Sequence, residues 1–238
     1  MHQDLTCSLG LPDPSMIFKY LVAALLATAS VRSIPIKFEA RKDCSVIHLV
    51  HASGTWEEPN LGALGGPLAE ALAHAIPGTT SYGVPYNTSA EYNKTLVEGA
   101  AITAQYLRNQ AGRCPGQQFV LSGASKGAML MHTVNLDDES KAKVLAVLVF
   151  GDGWRPNEVF NNSWPINSPS VDLDPRDGIR GAENVASFCN KGDTGCEIGS
   201  IDPDAIPPQH LSYPTDGSID VAVEFVKLVL KQVCASCI

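Results

Sequence analysis

Five residues, Gly123-Ala124-Ser125-Lys126-Gly127, constrain what this chain can fold into more than any other stretch. They follow an apolar run, Gln118-Phe119-Val120-Leu121-Ser122, and precede a helix-forming one, Ala128-Met129-Leu130-Met131-His132. A Gly-x-Ser-x-Gly pattern between strand and helix predicts a sharp turn that lifts the serine hydroxyl above the end of a sheet. The glycines leave room for backbone that a Cβ would block. The helix beginning there aims N–H groups, and the positive end of its dipole, at the same point. Developing negative charge would be stabilised there, so Ser125 is a candidate nucleophile.

Strands and helices alternate around this turn. Ser45–His51 reads as a first strand, Leu64–Ala75 as a helix and Thr79–Val84 as a second strand. Thr88-Ser89-Ala90-Glu91 has capping-box form and predicts a long helix to about Gln110, with Tyr92, Leu96, Ala100 and Leu107 on one stripe. Lys143–Phe150 is a continuous apolar strand of the kind buried in parallel sheets. Val185–Phe188 reads as a late strand, and Ile219–Val233 as the last helix. Between them, Phe160–Ala182 is rich in Pro, Asn, Asp and Ser and has no periodicity, so a loop is expected. This order predicts a single-domain α/β-hydrolase, with a central parallel sheet flanked by helices, no lid, and a site at the strands' carboxyl ends.

In that arrangement an acid and then a histidine follow the serine in chain order. Only His132 and His210 lie beyond Ser125. His132 is two helical turns on and cannot fold back, so a helix-face role is expected. His210, in Ile206-Pro207-Pro208-Gln209-His210-Leu211, is the candidate base. The acid has six candidates: Asp172, Asp174, Asp177, Asp193, Asp202 and Asp204. Asp193 stands out inside Cys189-Asn190-Lys191-Gly192-Asp193-Thr194-Gly195-Cys196. A Cys189–Cys196 disulfide would close a small rigid loop, suited to a carboxylate that holds an imidazole in one tautomer. Gly192-Asp193 also fits plain turn chemistry.

The Cys-Asn-x-Gly-Asp-x-x-Cys segment, followed by His210-Leu211-Ser212-Tyr213, resembles the cutinase family of serine esterases, which includes acetylxylan esterases and cutinase-like proteins. Gly54-Thr55-Trp56-Glu57-Glu58-Pro59-Asn60-Leu61-Gly62 and Val149-Phe150-Gly151 match as well, and the likeness runs from about Cys44 to Val229. It implies Ser125 as nucleophile, His210 as base and Asp193 as orienting acid. It also implies an oxyanion hole from the backbone N–H of Lys126 and the side chain of Thr55, with Ser53 the alternative. Two residues depart from the family. Ala124 stands where a bulky side chain is usual, and Lys126 where Gln is usual. The backbone donor survives any side chain. Lysines are rarely buried, so a solvent-facing Lys126 is expected; an ion pair or added positive potential is the alternative.

The chain length and apolar content suit one sizeable core. A formal charge of -8 argues against nucleic acid or anionic membrane as a partner. Met16-Ile17-Phe18-Lys19 opens a signal-like segment whose apolar stretch, Tyr20–Leu26, is too short to span a membrane. Ala27-Thr28-Ala29 supplies a cleavage pattern. Residues 1–15 read as a gene-model extension, 16–29 as a signal peptide, 30–43 as an N-terminal segment, 44–233 as the domain and 234–238 as a tail. A secreted monomer is expected. Outside the leader six cysteines remain. Cys44 and Cys114 each precede a strand and would meet at the same end of a parallel sheet, a pairing the resemblance supports. Cys234 and Cys237 are left for a tail bridge. Asn87, Asn93 and Asn161 head N-glycosylation sequons. No metal or nucleotide motif is present, and no cofactor is expected. The walls of an open site would be Tyr82–Glu91 and Ile201–Gln209, the latter carrying Asp202 and Asp204 beside Ile201, Ala205 and Ile206. That mixture favours short acyl chains or a polar polymer over wax, with cutin still open. The competing class is a secreted esterase-like binding protein without turnover, for which Ala124 and Lys126 are the only support.

Overall fold

A computed structural model describes residues 44–156, 164, 170–173, 184–202 and 205–235. The leader segments, Asn161, Asp174, Asp177, Asp204 and Cys237 lie outside these residues, as does the side chain of Cys234.

Among the described residues the core is a six-stranded sheet in which every pairing is parallel. Its strands are β1 (Ile47–Ala52), β2 (Thr80–Gly83), β3 (Gln118–Ala124), β4 (Val144–Phe150), β5 (Ser170–Leu173) and β6 (Val185–Phe188), in the order β2-β1-β3-β4-β6-β5. The central strands β1 and β4 are buried at every position, because helices cover both faces. On one face α2 (Asn93–Arg113) and α3 (Lys126–Thr133) pack Leu96, Leu107 and Leu130 against Val50, Leu121 and Val147. On the other, α1 (Gly62–Ala75) and α7 (Ser218–Ala235) pack Leu68, Leu72, Phe225 and Val226 against Leu49, Val120 and Leu148. Three short helices complete the described residues: α4 (Asp138–Lys141), α5 (Thr194–Ile198) and α6 (Pro208–Leu211). No helix among the described residues is long and apolar enough to cross a membrane.

Two expectations change. Strand β5 lies inside the stretch read as a loop. It is only four residues long and pairs with β6, so an existing sheet edge, not a pattern of its own, makes it a strand. The start of α2 is not a capping box built on Thr88. Glu91 accepts from the N–H of Lys94 and Thr95 at 3.1 Å, while the Thr88 hydroxyl donates to the Glu57 carbonyl at 2.6 Å. Tyr92 falls just before the helix instead of on its buried stripe.

Both core disulfides form. Cys44–Cys114 joins the chain just ahead of β1 to the chain just ahead of β3, with Cα atoms 5.6 Å apart. Cys189–Cys196 closes the loop after β6, with a Cα separation of 5.7 Å.

Candidate active site

Ser125 sits at the turn between β3 and α3 with φ +52° and ψ −116°, a conformation L-residues rarely hold. Its N–H donates to the Phe150 carbonyl at 2.8 Å, which ties the turn to the end of β4. The crossing is tight. A Cβ on Gly127 would lie 1.9 Å from the Ala52 carbonyl oxygen, and one on Gly123 would lie 2.1 Å from that of Gly127. Both flanking glycines of the sequence pattern are therefore steric necessities. The N–H of Lys126 is the first of α3 and one of those the helix cannot satisfy itself.

The next residue on β4's side, Gly151, touches the second half of the site. A Cβ there would lie 2.8 Å from His210 Cε1 and 3.2 Å from Asp193 Oδ2. Residues 150 and 151 thus bring the serine turn and the histidine–aspartate pair to one place. His210 lies on the helical turn α6, where a Pro-rich loop was expected. Its Nδ1 is 2.9 Å from both Asp193 oxygens. An ionised carboxylate only accepts, so Nδ1 carries the proton and Nε2 is left with its lone pair. Asp193 is fully buried and caps α5, accepting from the Gly195 N–H at 2.9 Å. One side chain therefore both caps the turn and holds the His210 imidazole. Burial alone would push its pKa up. Hydrogen bonds from His210, Tyr213 and Gly195 outweigh that and hold it below the usual carboxylate range.

Tyr213 supplies a contact no motif announced. Its hydroxyl donates to Asp193 Oδ2 at 2.6 Å and accepts from the Asn190 N–H at 3.1 Å. Burial raises the Tyr213 pKa, so the phenol stays protonated and donating. Asn190 also binds the base-bearing segment, its side-chain amide donating to the Gln209 carbonyl at 3.1 Å, Ser212 Oγ at 3.0 Å and Asp216 Oδ2 at 2.5 Å.

The loop after β1 closes the other side. An added Cβ on Gly54 would be 3.6 Å from Ser125 Cβ, so this loop lies beside the serine turn. Glu57 holds it, accepting from the Gly54 N–H at 2.6 Å and the Ala63 N–H at 3.1 Å. Of the two candidate hydroxyl donors, Ser53 is fully buried and bonded to the Glu58 carbonyl at 3.0 Å. Thr55 is half-exposed, with its hydroxyl 2.9 Å from that of Tyr92.

The expectation for Lys126 fails. Its side chain is completely buried instead of solvated. The ammonium donates to the carbonyls of Asn87 and Glu91 at 3.1 Å and to that of Ser89, and lies 5.4 Å and 5.2 Å from the ring centres of Tyr86 and Tyr92. Three oriented carbonyl dipoles replace the water the charge gives up. His132 is also buried, with Nε2 2.8 Å from Asp152 Oδ2 and its ring tilted 30° against that of Trp164. Asn87 and Asn93 are exposed. Of the acid candidates, Asp193 is the one bonded to His210 Nδ1, and Asp172 is described by its backbone alone.

Comparison with known proteins converges on one family. The Cutinase family model matches residues 43–230. The cutinase of Monilinia fructicola is 31% identical over 218 residues, covering 88% of this chain and 95% of the relative. A Trichoderma reesei cutinase solved in complex with a phosphonate inhibitor superposes with a TM-score of 0.61 at 26% identity, covering 79% of this chain and 77% of that one. The catalytic core domain of acetyl xylan esterase from Trichoderma reesei shares the fold, with a TM-score of 0.60 at 20% identity over 77% of this chain and 98% of that one.

Proposed function

This chain belongs to the cutinase family of carboxylesterases, and from that premise we propose that it is a secreted serine esterase that works through an acyl-enzyme. The observation that carries the mechanism is the buried Asp193 carboxylate fixing His210 Nδ1–H at 2.9 Å against Gly151, the neighbour in the chain of Phe150, whose carbonyl anchors the strained Ser125.

In this reading Ser125 Oγ attacks the ester carbonyl and its proton passes to His210 Nε2. The oxyanion is met by the Lys126 N–H and the Thr55 hydroxyl. Collapse releases the alcohol, which takes the proton from His210. Water, deprotonated by the same nitrogen, then attacks the acyl-serine, releases the acid and returns Ser125 to its hydroxyl form. Asp193 stays ionised and stabilises the imidazolium formed at each step.

The rim supports a reading of the substrate class. Trp56, beside Thr55, is 73% exposed, and Leu211, beside His210, is 64% exposed. Apolar side chains standing in water next to both halves of a site favour an ester presented on a surface or polymer, and the aspartates set among the apolar residues of the 201–209 stretch favour a short acyl group. The test is hydrolysis of p-nitrophenyl esters from acetate to octanoate, beside acetylated xylan and cutin. Turnover should fall with acyl length and vanish in Ser125→Ala with an unchanged melt, and a phosphonate should label Ser125 once per chain. Absence of turnover by folded protein on every ester, or labelling of another serine, would refute the proposal.

A further inference from the structure

The side chain of Lys126 is unexplained by the reaction just described, which uses only its N–H. A fully buried ammonium is costly unless it is well paired, so its cage has a purpose beyond solubility. The cage is the loop 87–91, folded around the cation so that the carbonyls of Asn87, Ser89 and Glu91 converge on Nζ. That same loop is stitched to the loop carrying Thr55. The Trp56 N–H donates to the Thr88 carbonyl at 2.9 Å, the Thr88 hydroxyl donates to the Glu57 carbonyl at 2.6 Å, and the Tyr92 and Thr55 hydroxyls meet at 2.9 Å. The Tyr92 ring itself faces the ammonium.

We propose that Lys126 is a positioning residue, whose ammonium shapes the loop 87–91 and through it sets the Thr55 hydroxyl opposite Ser125. The inference rests on the esterase reading for its catalytic consequence. One residue then serves the oxyanion twice, directly by its N–H and at a distance by its side chain. A neutral amine offers two N–H donors instead of three, so deprotonation removes one carbonyl contact. The ionisable groups around Nζ are Glu91, Tyr86 and Tyr92, with Glu57 beyond Tyr86. Burial lowers the Lys126 pKa, and the Glu91 carboxylate opposes that shift only in part. Activity should therefore fall on the alkaline side below the range of an ordinary lysine.

The experiment compares Lys126→Gln and Lys126→Met with wild type, alone and combined with Thr55→Val. It measures kcat and KM on p-nitrophenyl butyrate across pH, and hydrogen exchange at the Trp56 amide. Losing the alignment of one oxyanion donor is expected to lower kcat about tenfold with KM little changed. The alkaline limb should disappear, Trp56 exchange should quicken, and the substitution should have no further effect once Thr55 is Val. Wild-type kcat and Trp56 exchange in the variants, or a full additional loss beside Thr55→Val, would overturn the proposal. If neither Lys126 variant folds, Tyr92→Phe tests the link with the lysine in place: a kcat fall of similar size supports it, and unchanged kcat overturns it. A wild type inactive on every ester would end the esterase reading, and the Trp56 exchange comparison would still decide whether Lys126 holds the loop.

Discussion

Replacing Tyr213 with Phe removes one oxygen from the site. The lost hydroxyl gives a 2.6 Å hydrogen bond to the buried Asp193 carboxylate and accepts one from the Asn190 N–H at 3.1 Å. A hydrogen bond to a charged partner contributes about 1.5–3 kcal/mol, and a buried N–H left without an acceptor costs roughly 1–3. Water entering the small gap would recover part of this, so a net loss of about 3 kcal/mol is expected. For a domain of this size that is roughly 10 °C in Tm. The pH dependence carries a sign. Asp193 has a folded pKa below its unfolded one, so its stabilisation is present above the unfolded value and is lost as pH falls through the folded value. Without the tyrosine the depression shrinks. The stability gap between wild type and variant should be widest at neutral pH and close on acidification, while the acid limb of kcat/KM moves to higher pH. Thermal melts at pH 7 and pH 4, with a pH–rate profile, measure both. A variant with wild-type Tm and an unmoved acid limb would show that the phenol does not anchor the acid.

The disulfides should separate stability from chemistry: spans of 70 and 7 residues correspond to about 4.4 and about 2.4 kcal/mol on the chain-entropy model. Cys44→Ser/Cys114→Ser should mainly lower the Tm, whereas Cys189→Ser/Cys196→Ser should lose kcat while still melting cooperatively; equal kcat in the second pair and wild type, at a temperature where both are folded, would refute the role given to that loop. Gly151→Ala, at φ +61° and with its new methyl 2.8 Å from His210 Cε1, should cut kcat on the order of a hundredfold by displacing the imidazole, for only about 1–2 kcal/mol of stability; near-normal kcat by steady-state assay would contradict it. His51 is buried and its pKa pushed down to about 3, and that of His48 to about 4. Their native forms resist protonation, so stability should be full above about pH 6.5 and decline as pH falls toward those values, and a urea midpoint unchanged between pH 7 and pH 4 would rule this out.

The parts legible in the sequence were those made by neighbours in the chain. The strand–turn–helix around Ser125, the Asp193 bracketed by Cys189–Cys196 and the parallel strands behind Cys44–Cys114 all follow from short-range pattern plus the order of elements. What escaped depends on residues far apart. Lysine's ordinary preference for water argued for a solvated Lys126. Only a loop 35–39 residues upstream, whose sequence reads as a helix cap and not as a cation cage, supplies the carbonyls that reverse it. Tyr213 stood in the matched motif, yet its hydroxyl bond to Asp193 spans 20 residues and depends on how α6 meets α5. Glu57 likewise sat in a matched stretch, while its bonds to Gly54 and Ala63 appear only once the loop after β1 has folded back on itself.

The Cys44–Cys114 bond lies at the end of the sheet away from the chemistry, yet it governs alignment there. β1 and β3 pair from Ile47 opposite Gln118 to Ala52 opposite Gly123, and beyond those last partners stand Thr55 and Ser125. Sheets with one wet face select their pairing by alternation of apolar and polar residues. β1 is buried on both faces along its whole length, so contact with water does not distinguish one register from the next. Such a slip would carry the two loops past each other by about 3.3 Å, longer than the hydrogen bonds the site depends on. A covalent tie ahead of both strands acts on the unfolded chain, delivering them already in step. It works as a gauge block: dimensional error is removed at the datum, 11 residues back from both Thr55 and Ser125, before the working face is assembled.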